Sequence, residues 1–236
     1  MSISVTVQGK SICGSRLQNQ DNMYINHVIS NDFHEGHFQL TDDSILCFAV
    51  ADGVGGASHG EKASQAALES IEQWQSECDP TDKDIESEIR NAFNIANKRV
   101  IELSDELYTE TGTTLTMLLF YKDKYYIANI GDSPAFLMRH KRMAPLHQRQ
   151  GVRNILYAFV GNREMEGDEM VHITSGNYQK GDIFFLCSDG ISNTLTSTKL
   201  YWLLFKKNIT IDKILQKTEE NNPSDNSTGL IVKIEG

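Results

Sequence analysis

Aspartates followed by glycine or asparagine recur along this chain as Asp21-Asn22, Asp52-Gly53, Asp189-Gly190 and Asp225-Asn226, and Asp132 follows Gly131. Most of them sit where an apolar run stops or starts. Asp52 follows Ile45–Ala51, Asp132 follows Tyr125–Gly131, Asp189 follows Ile183–Ser188, and Asp225-Asn226 sits just before Gly229–Ile234. Carboxylates at the ends of buried strands are hard oxygen ligands on a rigid frame, which suits Mg²⁺ or Mn²⁺. A glycine after the aspartate lets a backbone carbonyl come close to an ion. Two such ions can bind phosphate oxygens and lower the pKa of a bridging water, so no cysteine or histidine nucleophile is needed. Taken singly, an Asp-Gly after a strand is more often a turn, and Asp132 reads equally well as a loop residue. Recurrence at several strand ends is what points to a site.

The elements that must hold these carboxylates are legible as strand-like runs at Ser4–Gln8, Ile45–Ala51, Thr114–Tyr121, Tyr125–Ile130, Ala135–Arg139, Ile183–Ser188 and Gly229–Ile234. Several are apolar at every position, as expected of strands buried on both faces. Two helical patterns lie between the second and third runs. In one, Ala63, Ala66, Ala67, Ile71 and Trp74 share a face; in the other, Ile85, Ile89, Ala92, Phe93, Ala96, Val100, Leu103 and Leu107 form a stripe. Asp79-Pro80 is the predicted cap and first-turn pair of the second helix. Helices are also expected over Ser197–Lys206 and Ile211–Glu219. Thr114–Tyr121 and Tyr125–Ile130 read as a hairpin, so the order favours antiparallel sheets covered by helices.

The composition suits a folded chain of 236 residues with 39% hydrophobic residues, and a single domain over 1–236 is expected. A net charge of −10 argues against a nucleic-acid partner, and the basic clusters at Arg139–Arg142 and Lys206-Lys207 do not reverse it. The start of the sequence has no signal-peptide pattern, and the longest apolar run, Ile45–Ala51, is too short to cross a bilayer. Cys13, Cys47, Cys78 and Cys187 form no C-x-x-C pair. A cytoplasmic protein without a membrane partner is the expectation.

The flanks of the aspartates carry a resemblance. Arg16-Leu-Gln-Asn-Gln-Asp21-Asn22, Ala51-Asp52-Gly53-Val-Gly55-Gly56, Thr111-Gly112-Thr113-Thr114, Asn129-Ile-Gly131-Asp132-Ser133, Ser188-Asp189-Gly190-Ile191 and Asp225-Asn226 resemble, in order, the motifs of metal-dependent type 2C protein phosphatases. The likeness runs from about Arg16 to Val232. It implies an α+β fold: a four-layer α/β/β/α sandwich of two antiparallel sheets flanked by helix pairs. It also implies hydrolysis of phosphoserine or phosphothreonine on proteins by a water activated by two Mn²⁺ or Mg²⁺ ions, without a phosphoenzyme. Carried over by position, Asp52 bridges both ions, Asp189 and Asp225 bind the first, and the Gly53 carbonyl binds the second. Arg16 takes the substrate phosphate, Asp21 orients metal-bound water, and Asp132 and Asn226 support the site. A monomer acting on a phosphorylated protein, and opposing a kinase, is expected.

The chain also departs from the family pattern. Gln20 stands where an acidic residue is common before Asp21, and Val54 stands where some members carry a histidine proposed as general acid. In Ala144-Pro145-Leu146-His147, Leu146 replaces the aspartate that binds a third ion in bacterial relatives, which puts that site in doubt. The flap is expected to be shortened around 147–153, because Arg153-Asn154-Ile155-Leu156 resembles the stretch after it. An open rim and slow or partner-dependent turnover would follow. Two alternatives stay open: a non-catalytic relative that binds phosphoproteins or regulates a partner, and a phosphatase of small molecules. Gly9-Lys10-Ser11 lacks the upstream glycine of a P-loop, Gly53 to Ser58 lacks the βαβ unit of a dinucleotide site, and His34-Glu-Gly-His37 is expected in a solvated loop over Ser30–Asp43.

Overall fold

The computed structural model describes residues 3–42, 44–54, 59–81, 84–152, 155–164, 170–206 and 208–235. In chain order the elements are β1 (Ile3–Ile12), β2 (Asp21–Ile25), β3 (Val28–Ser30), β4 (Asp32–Leu40), β5 (Ile45–Asp52), α1 (Gly60–Glu77) and α2 (Ile85–Leu107). They continue as β6 (Leu115–Tyr121), β7 (Lys124–Ile130), β8 (Ala135–Arg139), β9 (Arg142–Pro145), β10 (Gly151–Val152) and β11 (Ile155–Leu156). The chain closes with β12 (His172–Asn177), β13 (Ile183–Cys187), α3 (Asp189–Thr194), α4 (Ser197–Leu204), α5 (Ile211–Glu219) and β14 (Ser227–Ile234). Two six-stranded antiparallel sheets result, ordered β4-β1-β14-β13-β8-β9 and β12-β7-β6-β5-β2-β3.

The period-2 alternation of each strand divides its side chains between two layers. In β5, Leu46, Phe48 and Val50 point between the sheets, while Cys47, Ala49 and Ala51 pack on α1 and α2. In β13, Phe184 and Leu186 point between the sheets, while Phe185 and Cys187 face the α3–α5 side. Phe48, Phe120 and Phe184 meet edge to face in the middle layer. Burying each such side chain is worth about 1.5–3 kcal/mol. This is the expected four-layer sandwich, with α3 joining the helix pair α4 and α5 on the second outer face.

The middle layer turns polar at one end. Asp21 and Asp52 keep the inward parity of Met23 and Val50, and Thr116, Asn129, Ser188 and Thr228 keep that of their own strands. All six except Asp52 are fully buried polar residues. The hydrophobic layer thus closes on a hydrogen-bonded polar floor, where the carboxylates gather.

Several boundaries differ from the sequence reading. The stretch Ser30–Asp43 is not a loop, because β4 spans Asp32–Leu40 and pairs with β1 at the sheet edge. An edge strand is held by backbone bonds to one neighbour and exposes much of both faces, so it shows no apolar alternation. His34 and His37 therefore sit on this edge strand, with His37 Nδ1 3.1 Å from Thr6 Oγ1. Asp79-Pro80 does not start α2. Asp84 is its N-cap and accepts from the Glu86 N–H, while Asp79 accepts from Thr81 in a local turn. The polar edge strand β12 and the short β2 and β3 carry no long apolar run, and so no strand signal in the sequence. Gly9-Lys10-Ser11 lies within β1, where Lys10 pairs with Asp212 at 2.8 Å. Gly55 to Ser58 lie outside the described residues, and the β5 neighbours β2 and β6 are antiparallel, so no βαβ unit forms there.

Candidate active site

Asp52 ends β5, and its backbone is fixed on both sides. The Asp52 N–H donates to Thr114 Oγ1 at 3.1 Å, and the Asp52 carbonyl accepts from the Thr114 N–H at 2.8 Å and Thr113 Oγ1 at 2.9 Å. Thr114 Oγ1 lies 2.7 Å from Ser133 Oγ, and Thr116 Oγ1 donates to the Ser133 carbonyl at 2.7 Å. The Thr111-to-Thr114 segment therefore ties the Asp52 turn to the Asp132-Ser133 turn. Gly53 has no room for a side chain, because a Cβ there would lie 2.5 Å from the Gly60 backbone.

Asp189 is the first residue of α3, placed by Ser188 at the end of β13 rather than in a loop. Asn193, one turn on, donates to its Oδ2 at 2.9 Å. The helix start packs against the chain before β14 so closely that a Cβ on Gly190 would lie 1.9 Å from the Asn226 carbonyl oxygen. Asp225 precedes that strand and accepts from Arg16 Nη2 at 2.7 Å, with both side chains partly exposed. Asn226 holds the loop that carries Arg16. Its Oδ1 accepts from the Gln20 N–H at 2.9 Å, and its Nδ2 donates to the Cys13 and Gln18 carbonyls at 3.0 Å.

One cavity of about 560 Å³ brings Arg16, Asp52, Gly53, Asp132, Asp189 and Asp225 together. Asp21 lies behind it, fully buried, opposite Asp52 across the β2–β5 ladder. Its Oδ2 accepts from Ser188 Oγ and Thr228 Oγ1, both at 2.7 Å, so Asp21 ties one sheet to the other. Its Oδ1 is buried with no hydrogen-bond partner. Ser188 stands in the Ser188-to-Ile191 motif, but its bond to Asp21, like that of Thr228, spans too much sequence to leave a local signal, and Asn193, four residues after Asp189, lies outside the motif.

The electrostatics are those of crowded carboxylates. Burial, followed by the charges of Asp21, Asp189 and Asp225, pushes the Asp52 carboxyl well above its usual range. Burial raises Asp189 to about 6, helped by Asp132, Asp225 and Asp21. Burial raises Asp21 to about 6 against the opposing hydrogen bonds from Thr228 and Ser188. Burial also raises Asp132, with Arg149 pulling it back.

A divalent cation fits these residues. The donors are carboxylate oxygens, the hard ligands that Mg²⁺ and Mn²⁺ prefer, and a cation would relieve both the mutual repulsion and the orphaned Asp21 Oδ1. Among the described residues, no three acidic, histidine or cysteine side chains converge on one point. An ion held by one or two carboxylates would complete its shell with a backbone carbonyl and water, as Mg²⁺ commonly does. A third ion does not fit at Leu146. That side chain is buried in the inter-sheet layer and carries no donor, and Arg149 Nη2 stands 3.5 Å from Asp132 Oδ2.

The chain is similar to known proteins along most of its length. The serine/threonine phosphatase stp of Listeria welshimeri is 26% identical over 235 residues, covering 86% of this chain and 90% of that one. Among solved structures, the catalytic domain of the serine/threonine phosphatase PstP in complex with two manganese ions superposes with a TM-score of 0.82 at 20% identity, covering 100% of both chains. Serine/threonine phosphatase Stp1 of Staphylococcus aureus does so with a TM-score of 0.82 at 21% identity, covering 98% of this chain and 95% of that one. At those identities the structures speak for the fold. The family model described as protein phosphatase 2C matches residues 19–222, most of the chain, and with the aspartate-bearing turns converging on one cavity, the chain belongs to the protein phosphatase 2C family.

Proposed function

We propose that the protein hydrolyses phosphoserine and phosphothreonine on other proteins, using two Mn²⁺ or Mg²⁺ ions held at the carboxylate cavity. The observation that carries this reading is the convergence of Asp52 from the end of β5, Asp189 from the start of α3 and Asp225 from the turn before β14 on one cavity that Arg16 also lines. Asp52, Asp189, Asp225 and the Gly53 carbonyl would share the holding of the two ions, with water completing each shell. Bound ions supply a nucleophilic water near neutral pH and neutralise charge on the transferred phosphoryl group.

The protein's own groups do the positioning. The Arg16 fork uses Nη2 on Asp225, which leaves further N–H donors for phosphate oxygens. Ser188 and Thr228 fix the Asp21 carboxylate, and through it the back wall of the site. Val54 carries no titratable side chain, so it cannot protonate the leaving serine or threonine oxygen, and water is the donor assigned in this reading.

The rim reads as open. Residues 148 and 150 are bonded back to Asn129 and Gly131, and among the described residues of this segment up to Leu156 the paired strands are the two-residue β10 and β11, which supports an open rim. Residues 153 and 154 lie outside the described residues. A single domain with a shortened flap, working as a monomer in the cytoplasm against a kinase and turning over slowly unless a partner completes the rim, fits these features. No helix among the described residues is long and apolar enough to cross a membrane. The test is phosphate release from phosphothreonine and phosphoserine peptides, in EDTA and after Mn²⁺ is restored. Release only with metal is expected; equal release in EDTA would sink the metal-dependent reading.

A further inference from the structure

A second cavity, about 440 Å³ in volume, opens beside the first, and Asp132, Asp189 and Asn193 form a wall common to both. Its other side has a different character. Phe136 and His147 pack edge to face with ring centroids 5.7 Å apart, and Pro134 and Met143 extend the apolar surface. Arg149, 3.5 Å from Asp132, also lines it, so part of the shared wall's negative charge is offset. The phosphatase reading absorbs the first cavity and leaves this one without an occupant.

The geometry points to a subsite for an apolar side chain of the substrate, two residues from the phosphorylated one, a proposal that rests on the phosphatase reading. In an extended peptide, neighbouring side chains point to opposite faces, and the next on the same face lies roughly 6.5–7 Å away. A chain whose phosphorylated side chain enters the carboxylate cavity would thus turn its second neighbour towards the adjoining one. Leucine, methionine or phenylalanine would gain burial against Phe136 and Met143. An acidic side chain would have to give up its hydration against the same apolar wall and would gain no burial there.

The test compares kcat/KM in saturating Mn²⁺ for phosphothreonine peptides carrying leucine, glycine or aspartate two residues before or two residues after the phosphothreonine. The small ester p-nitrophenyl phosphate serves as the control that needs the first cavity alone. The wild type should prefer leucine over aspartate by about tenfold at one of the two positions. Met143→Asp should bring that preference near unity and leave turnover of the small ester unchanged. Ser197→Trp, made at an exposed lining position on α4, should do the same by filling the cavity, and it serves if Met143→Asp fails to fold. No preference in the wild type, or a preference untouched in a folded variant, overturns the subsite. A folded wild type inactive on the small ester and on every peptide overturns the phosphatase reading itself, and the subsite with it.

Discussion

Asp21 and Asp52 are direct partners across the antiparallel β2–β5 ladder, both facing the inter-sheet layer. Like charges directly opposite on neighbouring strands are destabilising, and burial makes the repulsion worse. The fold keeps the pair because Ser188 and Thr228 hold Asp21 from the opposite sheet, and because a cation at Asp52 would turn repulsion into attraction.

Asp21→Asn should separate those two effects. Asparagine keeps an oxygen for Ser188 and Thr228 and loses the charge. The metal-free variant should melt about 2–6 °C above the wild type. Its affinity for Mn²⁺, measured by titration calorimetry, should fall about tenfold or more. A lower melting temperature without metal would contradict the repulsion account.

The same crowding sets a pH dependence. Asp21 and Asp189 titrate near 6 in the folded protein, against about 3.9 for an aspartate in an unfolded chain. Between those values the folded state holds more protons than the unfolded one, so their contribution to stability is full below pH ~4 and is lost as the pH rises through ~6. The melting temperature in EDTA, with other carboxylates serving as a common background, should therefore benefit from acid in this window. Excess Mn²⁺ should flatten or reverse the trend. A trend unaffected by Mn²⁺ would place the titrating groups elsewhere.

Arg16→Ala should weaken phosphopeptide turnover by about ten- to a hundredfold in kcat/KM, the loss of charge-assisted hydrogen bonds worth roughly 1.5–3 kcal/mol. Melting should change little, because the Arg16–Asp225 pair is partly exposed. Lysine at this position should recover only part of the activity, since it lacks the planar fork. Full activity in the alanine variant would remove Arg16 from phosphate binding.

Gly190→Ala tests the packing that places two carboxylates at once. The added methyl would meet the Asn226 carbonyl at 1.9 Å, backbone that cannot turn aside as a side chain can. We expect a loss of about 1–3 kcal/mol in urea unfolding, as for overpacked cores, with weakened Mn²⁺ binding. Unchanged stability and affinity would show that the α3 start and the Asp225-Asn226 turn are less tightly coupled than their spacing indicates.

The legible parts of this chain were those written locally. Ile45–Ala51 and Ile183–Ser188 announce buried strands by uninterrupted apolar runs, and the aspartates after them announce the site. The α2 stripe from Ile85 to Leu107 was visible, but its cap was not, because Asp79-Pro80 and Asp84 both satisfy the local rules and tertiary packing decides between them. Pro80 is drawn away by the Tyr121 hydroxyl, which donates to its carbonyl at 2.8 Å. β4 was hidden because an edge strand needs only a partner's backbone. Ser188 and Thr228, which hold Asp21 from 167 and 207 residues away, leave no trace in local spacing. Arg149 likewise acquires its place beside Asp132 only through the anchoring of the segment after Leu146.

Phosphate release from a phosphothreonine peptide across a Mn²⁺ titration, for the wild type and Asp189→Ala, tests the central claim most directly. The account predicts saturable, metal-dependent release by the wild type, with release near background at every Mn²⁺ concentration for a variant that still folds. Undiminished release by the variant, or none from well-folded wild type at any metal concentration, would contradict it.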